Sequence, residues 1–277
     1  MNNAFSVDVE DWYQVSDFEE VVDFSAWATY ESRVVRNTER VLELLDACGI
    51  KGTFFVLTWN AERHPELIRT IARGGHEIAS HGYRHRLIYE QSPEEFRDDI
   101  MRSKKILEDI TGTPVWGYRA PSFSLTAASI WALDVLLDCG MRYDSSIFPV
   151  SDRLYGIPGA RRFPFVIRDD GDRRLVEFPM TTARAAGRNW PLGGGAYLRL
   201  FPYAYMRWGI RRVNREGQPA IVYMHPWEVD PDQPRIKARG KRGVSTHYIN
   251  LSRMEGRLRR LLRDFSFAPV RDVLGLS

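Results

Sequence analysis

Short apolar runs alternate along this chain with stretches of helical period. Residues 4–9 (AFSVDV), 53–57 (TFFVL), 76–79, 115–118 (VWGY), 141–144 and 220–224 read as short buried strands. Between them the spacing predicts helices. One covers 32–48, with Val34, Val41, Leu44, Leu45 and Cys48 on its apolar side and Gly49 closing it. A second runs from Pro65 through Ile71 and ends at Gly74-Gly75. A third starts at Ser92, where Ser92 and Glu95 form a capping box, and runs to about Ile110. Further helices are expected over 126–138, over a basic 203–215 and over an Arg-rich 252–263. Strand following helix in this way predicts parallel β/α units. After 150 the pattern weakens: 151–188 is rich in Arg, Asp, Gly and Pro, and only 176–179 reads as a strand. Residues 192–195 (LGGG) read as a flexible loop, and 229–249 as loop. No Gly-Lys-Ser/Thr follows the glycines, so they are not a phosphate loop.

The strands deliver polar residues at their ends. The first runs into Asp8, Glu10 and Asp11, and acids at the C-terminal end of a barrel strand are where such enzymes keep their chemistry. The third is followed by His81 and His85, an i, i+4 pair that can converge on one metal ion if the backbone is helical or tightly turned there, with surface or core histidines as the alternative. A catalytic metal needs about three protein ligands, so the pair needs a carboxylate. His64, beside Pro65, reads as a capping or surface residue.

Composition narrows the class. The 277 residues are 44% hydrophobic and 27% charged, which fits a globular protein with a sizeable core. A net charge of +3 with dispersed arginines gives no nucleic-acid footprint. Cys48 and Cys139 each precede a glycine near a helix end and read as buried small hydrophobes. The N-terminus lacks the basic and apolar regions of a secretory signal, and no window is apolar enough to span a membrane. The expected location is therefore cytoplasmic.

Four motifs then fall in order: VDVED (7–11), SHGYRH (80–85), YRAPS (118–122) and YMHPWE (223–228). Together they resemble the polysaccharide deacetylases of carbohydrate esterase family four. LGGGAYLRLFP (192–202), HPWEVDPDQPR (225–235) and HYINLSR (247–253) are similar to the exosortase-associated (PEP-CTERM) exopolysaccharide deacetylases. The resemblance implies an α/β fold, a distorted (β/α)7 barrel of the polysaccharide deacetylase type. It implies one domain over 1–277 with a subfamily-specific section at about 229–277. It also implies removal of N-acetyl groups from an N-acetylated polysaccharide or oligosaccharide with one divalent metal, zinc first, cobalt or nickel as alternatives.

Carried across, the resemblance makes His81 and His85 metal ligands, Asp8 the general base, Arg119 the residue orienting it, and His225 the general acid. Asp144 resembles the acid that tunes that histidine. The third ligand stays open between Glu10 and Asp11, because VDVED departs from the family's adjacent aspartates. A backbone N–H near Tyr143 or Asp144 is expected at the oxyanion. Tyr118, Pro121, Phe123 and Trp227 are the candidate sugar-binding surfaces, with core packing as the alternative. Two other functions compete: amide hydrolysis of a small cyclic or ureide substrate, and glycan binding without catalysis.

Overall fold

The structure, a computed structural model, describes residues 1–151, 155–236 and 246–276. Strand β1 (Asn3–Val9) is buried along its whole length. In chain order follow β2 (Thr53–Val56), β3 (Glu77–Ser80), β4 (Gly117–Tyr118), β5 (Tyr143–Asp144), β6 (Phe165–Asp169), β7 (Arg174–Glu177), β8 (Thr182–Ala185), β9 (Arg188–Pro191), β10 (Ile221–Met224) and β11 (Phe267–Ala268). The main sheet has the order β10-β1-β2-β3-β4-β5-β7-β6, and β11 pairs with the start of β1. Every pairing along it is parallel except β6 with β7. This is an α/β fold, a curled half-barrel of parallel strands. Strands from both halves of the sequence share the sheet, with β10 beside β1 and β7 beside β5.

Parallel sheets bury both faces, which is why these strands are nearly continuous apolar runs. Helices α1 (Val34–Asp46), α2 (Thr58–Arg63), α3 (Pro65–Arg73), α4 (Pro93–Thr111) and α5 (Ala132–Asp138) lie in the first half. Phe5, Val7 and Val9 share one core with Leu44 and Leu45 of α1 and with Ile68 and Ile71 of α3. Ser92 and Glu95 make the expected capping box of α4, and Gly112 ends that helix at φ 68°. The second half adds α6 (Gly195–Leu200), α7 (Tyr203–Arg215), α8 (Leu251–Asp264) and α9 (Val270–Val273). Among the described residues no helix is long and apolar enough to cross a membrane. Cys48 and Cys139 are both free thiols.

Several expectations are corrected. Helix α2 was hidden because its buried residues, Thr58, Trp59, Asn60 and Ala61, are mostly not aliphatic. The predicted helix 126–138 is a 3-10 turn, Ala127–Ser129, followed by α5. The supposedly irregular 151–188 contains β6 and β8, whose arginines and aspartates mask any alternation. Strands β8 and β9 form a separate hairpin, turned by Ala186 (φ 49°) and Gly187 (φ 73°). Residues 192–195 are no flexible loop. The Tyr223 N–H donates to the Gly193 carbonyl at 2.6 Å, and Gly195 starts α6 so close to Glu228 that a Cβ would collide with its carboxylate. Of the loop predicted at 229–249, residues 237–245 lie outside the described residues.

Gly117 of β4 faces the ring of Tyr143 on β5 so closely that a Cβ there would overlap it. Tyr143 is fully buried, with its hydroxyl donating to Glu77 at 3.0 Å, so it has nowhere to move. Gly117→Ala is therefore expected to lower stability by about 1–3 kcal/mol, the usual range for overpacking. Urea denaturation checks this, and an unchanged midpoint would show that the sheet yields there.

Candidate active site

The parallel strands point their C-terminal ends to one side, and that edge carries the polar residues. Asp8 lies within β1, Glu10 just past it, His81 directly after β3, Arg119 after β4 and His225 after β10. Asp8, Glu10, His81, His85 and His225 line one cavity of about 970 Å³.

The loop after β3 is built to aim two imidazoles. The His81 N–H continues the ladder to the Val56 carbonyl at 3.0 Å. Gly82 then turns at φ 73°, and the Asp99 carboxylate receives the Tyr83 N–H at 2.9 Å. His85 itself is left-handed at φ 58°, an unusual conformation for a residue with a side chain. The result is a cluster in which Nε2 of His81 lies 2.8 Å, and Nε2 of His85 3.2 Å, from Glu10 Oε1. One ligand atom from each of the three lies within 4.8 Å of the others.

The chemistry of this set fits a cation. Nδ1 of His81 is 2.7 Å from the Arg119 carbonyl, so that nitrogen carries the hydrogen. Nε2 is then the nitrogen that faces the Glu10 carboxylate and can ligate, and two imidazoles with one carboxylate are a usual catalytic donor set. Burial alone would raise the Glu10 carboxyl, but His85, His81 and His225 together hold it well below the ordinary range.

Asp11 does not join this set. Its oxygens accept from the Trp12 N–H at 2.9 Å, the Arg33 N–H at 2.8 Å and the Val34 N–H at 3.2 Å. It thereby caps the start of α1, and Glu10 is the acid that faces the histidines. The reason is local: the chain leaves the strand at Val9, and Glu10 and Asp11 turn in different directions.

Asp8 is gripped by Arg119. Nη1 of the fully buried guanidinium donates to Asp8 Oδ1 at 2.6 Å and to Ser6 Oγ at 2.9 Å. Nε and Nη2 donate to the carbonyl and hydroxyl of Ser145 at 3.2 and 3.1 Å. The guanidinium carbon sits 4.0 Å from the centre of the Phe55 ring, an aromatic platform that tolerates a buried cation.

His225 faces the cluster from the other strand, with Nε2 4.0 Å from Glu10 Oε2. Its Nδ1 lies 3.5 Å from Glu228 Oε2, a close ion pair when the ring is protonated. The same oxygen accepts the His225 backbone N–H at 2.9 Å, while Oε1 accepts Arg199 Nε at 2.7 Å. Burial alone would lower His225, but Glu228, with Glu10 and Asp8, pushes it up to about 9. Burial would raise Glu228, but Arg199 and His225 bring it down to about 2. Trp227 is stacked between His225 and His247, at 5.1 and 3.9 Å between ring centres. Burial drives His247 down to about 3, so it is neutral there.

Other expectations fail. Asp144 does not touch His225: it is buried, accepts from Ser146 Oγ at 2.5 Å and is pushed up to about 6 by burial, with Glu177 beside it. The residue holding His225 is Glu228, signalled in the sequence only by the capping-box spacing of His-Pro-Trp-Glu. Arg199, alone among apolar residues of α6, gave no signal. The Tyr143 N–H donates to the Trp116 carbonyl at 3.1 Å, so it is not available for an oxyanion. Tyr118 is buried against Phe96 and Pro121 is buried, neither lining the cavity, whereas Phe123 and Trp227 do line it. Tyr223, Tyr89 and Phe148 add lining that the sequence did not reveal.

Residues 20–143 match the model of the polysaccharide deacetylase family. This stretch, somewhat under half of the chain, is similar to the polysaccharide deacetylases. Residues 145–275 match a second model, a domain of unknown function (DUF3473). A peptidoglycan-N-acetylglucosamine deacetylase of Bacillus cereus is 35% identical over 75 residues, 27% of this chain and 27% of the relative. A peptidoglycan deacetylase of Helicobacter pylori is 28% identical over 108 residues, 39% of this chain and 36% of the relative. The chain thus spans well under half the length of these relatives. In fold it is similar to an assigned polysaccharide deacetylase from Mycobacterium smegmatis (TM-score 0.63, 22% identity, 99% of this chain and 88% of the other). It is also similar to the allantoinase PuuE (TM-score 0.66, 16% identity, 98% and 87%).

The two acids separate in a metal titration. Glu10→Gln is expected to lower zinc affinity by at least tenfold in calorimetry, because a ligand is lost. Asp11→Asn should keep the affinity but melt earlier, having weakened a helix cap worth about 0.5–2 kcal/mol. The opposite pattern would return Asp11 to the metal.

Proposed function

We propose that this chain is a metal-dependent hydrolase that removes N-acetyl groups from the amino sugars of a polysaccharide. The observation that carries the reading is one cavity that Glu10, His81 and His85 share with two differently supported groups, Asp8 held by Arg119 and His225 paired with Glu228. Amide hydrolysis needs a base for the attacking water and an acid for the departing amine. Binding alone needs neither, which argues against a non-catalytic glycan module.

In this reading Glu10, His81 and His85 hold a divalent ion, zinc first, which would polarise the acetyl carbonyl and make water more acidic. Asp8 accepts the proton of the attacking water. Arg119 fixes the Asp8 carboxylate through Oδ1, leaving Oδ2 for that proton. His225, kept cationic by the Glu228 carboxylate, hands its proton to the sugar nitrogen as the C–N bond breaks. Phe123 and Tyr223 give the cavity apolar wall against which a sugar ring packs. A volume of about 970 Å³ is at the upper end for a small-ligand pocket and supports a sugar chain over a small ureide. The motifs of the C-terminal third support an exopolysaccharide or its precursor as the substrate.

Acetate release from an N-acetylglucosamine oligomer with zinc present tests the activity; turnover of allantoin alone would favour the ureide reading. Asp8→Asn is expected to keep bound metal and lose about 10²–10⁴ in kcat. The pH profile tests the acid. The Glu228 carboxylate raises His225, so the ring stays protonated, and useful, through neutral pH, and activity should be lost on a basic limb. Glu228→Gln removes the anion that sustains the proton and should move that limb to lower pH. A limb unmoved by Glu228→Gln would mean that another group donates the proton.

A further inference from the structure

A second cavity, of about 1070 Å³, lies beside the first. Tyr155 lines both, and it stacks on Phe148 of the catalytic cavity with ring centres 5.6 Å apart and planes within 18°. The β8–β9 hairpin supplies one part of its lining and the segment 155–165 another. Arg162 of that segment donates to the Thr182 carbonyl of β8 at 2.8 Å, which ties the two parts together, and Asn189 of the hairpin donates to the Pro149 carbonyl at 2.9 Å.

The charge on this lining is one-sided. Arg161, Arg162, Arg184 and Arg188 contribute to it, and among the described residues no Asp or Glu does. Arg162 is committed, pairing with Glu216 at 2.8 Å and donating to the Thr182 carbonyl at 2.8 Å. Arg161 rests over the Phe165 ring, 5.1 Å from its centre. Among the described residues, no carboxylate comes within ion-pair distance of Arg161, Arg184 or Arg188. The catalytic cavity has the opposite bias: Asp8, Glu10, Glu19, Glu20, Glu90 and Glu228 all line it. An anionic group on a bound glycan is therefore attracted to the second cavity.

We propose that the arginine-lined cavity binds an anionic group, carboxylate or phosphate, carried by the same glycan whose acetyl group reacts next door. The proposal rests on the deacetylase reading for the glycan, and names its class: the substrate is acidic. Guanidinium groups suit both anions, which they take in a planar two-pronged contact. The carboxylate would come from a uronic acid unit of the polymer, the phosphate from the pyrophosphate of a lipid-linked precursor. Phe123, Tyr223 and Tyr155 provide an aromatic passage between the reacting sugar and the arginines.

The test uses the full chain loaded with zinc and three probes. These are a neutral N-acetylglucosamine tetramer, a tetramer alternating N-acetylglucosamine with glucuronate, and an N-acetylglucosaminyl pyrophosphate carrying a short alkyl chain. Calorimetry reads binding, and acetate release reads KM and kcat. At least one acidic probe should bind about tenfold tighter than the neutral tetramer, the value of two modest ion pairs. That advantage should vanish in Arg184→Ala/Arg188→Ala and shrink at about 1 M salt, where screening acts within about 3 Å. Arg184→Lys/Arg188→Lys should keep part of it, and Arg161→Ala, outside the hairpin, should weaken it if the hairpin variant folds poorly. Turnover of the neutral tetramer should be the same in all variants. Which acidic probe wins decides between uronate and pyrophosphate. Equal binding of all three probes, or an acidic preference that survives the alanine changes, overturns the proposal. Tight, arginine-dependent binding with no acetate release from any probe overturns the deacetylase reading and leaves the anion site standing.

Discussion

The buried guanidinium of Arg119 is the constraint around which the site is organised. A cation with no exposed surface must be paired and hydrogen-bonded. Arg119 spends its donors on Asp8, Ser6 and both oxygens of Ser145, which lie on or beyond β1 and β5. Its own carbonyl accepts from Nδ1 of His81. One residue therefore orients the carboxylate proposed as base and fixes the tautomer of a proposed metal ligand. His85, Ser122 and Phe123 are left-handed, in the loops that leave β3 and β4 at this edge.

The opposite wall is assembled from the second half of the chain. Arg199 of α6 donates to Glu228 and to the carbonyls of Thr246, His247 and Ile249, and so fastens the C-terminal segment beneath the site. Glu228 passes that order to His225, and Gly195 supplies the space that the carboxylate occupies. The polysaccharide deacetylase match ends at 143, yet His225 and its support lie in the region matched by the domain of unknown function. In the proposed chemistry the first region contributes His81, His85 and Arg119, the strand preceding it contributes Asp8 and Glu10, and the second region contributes the acid.

The sheet was legible wherever burial writes a simple signal. Apolar runs such as AFSV and TFFV can only be interior strands, and the Ser92–Glu95 cap announces α4 outright. Strands β6, β8 and β9 were not legible, because half-exposed edges and hairpins tolerate arginine and aspartate on one side. Adjacency in sequence misled at two places. Asp11 follows Glu10, but the backbone turns and gives it to a helix start 22 residues on. Asp144 follows a strand as a catalytic acid would, but a neighbouring carboxyl and complete burial make it an interior group. Glu228 and Arg199 were missed because their partnership spans 29 residues and two elements, which no local pattern encodes.

The most direct test of the central claim is anomalous diffraction from crystals of the full chain soaked with zinc and, separately, cobalt. The account predicts a single strong anomalous peak bonded to Nε2 of His81, Nε2 of His85 and the Glu10 carboxylate, about 2.0–2.2 Å from each for zinc. Asp11 should still cap α1, and His225 should lie outside the ligand shell. A peak ligated by Asp11 or by His225, or a zinc-soaked crystal in which Glu10 remains paired with both histidines and no peak lies between them, would contradict it.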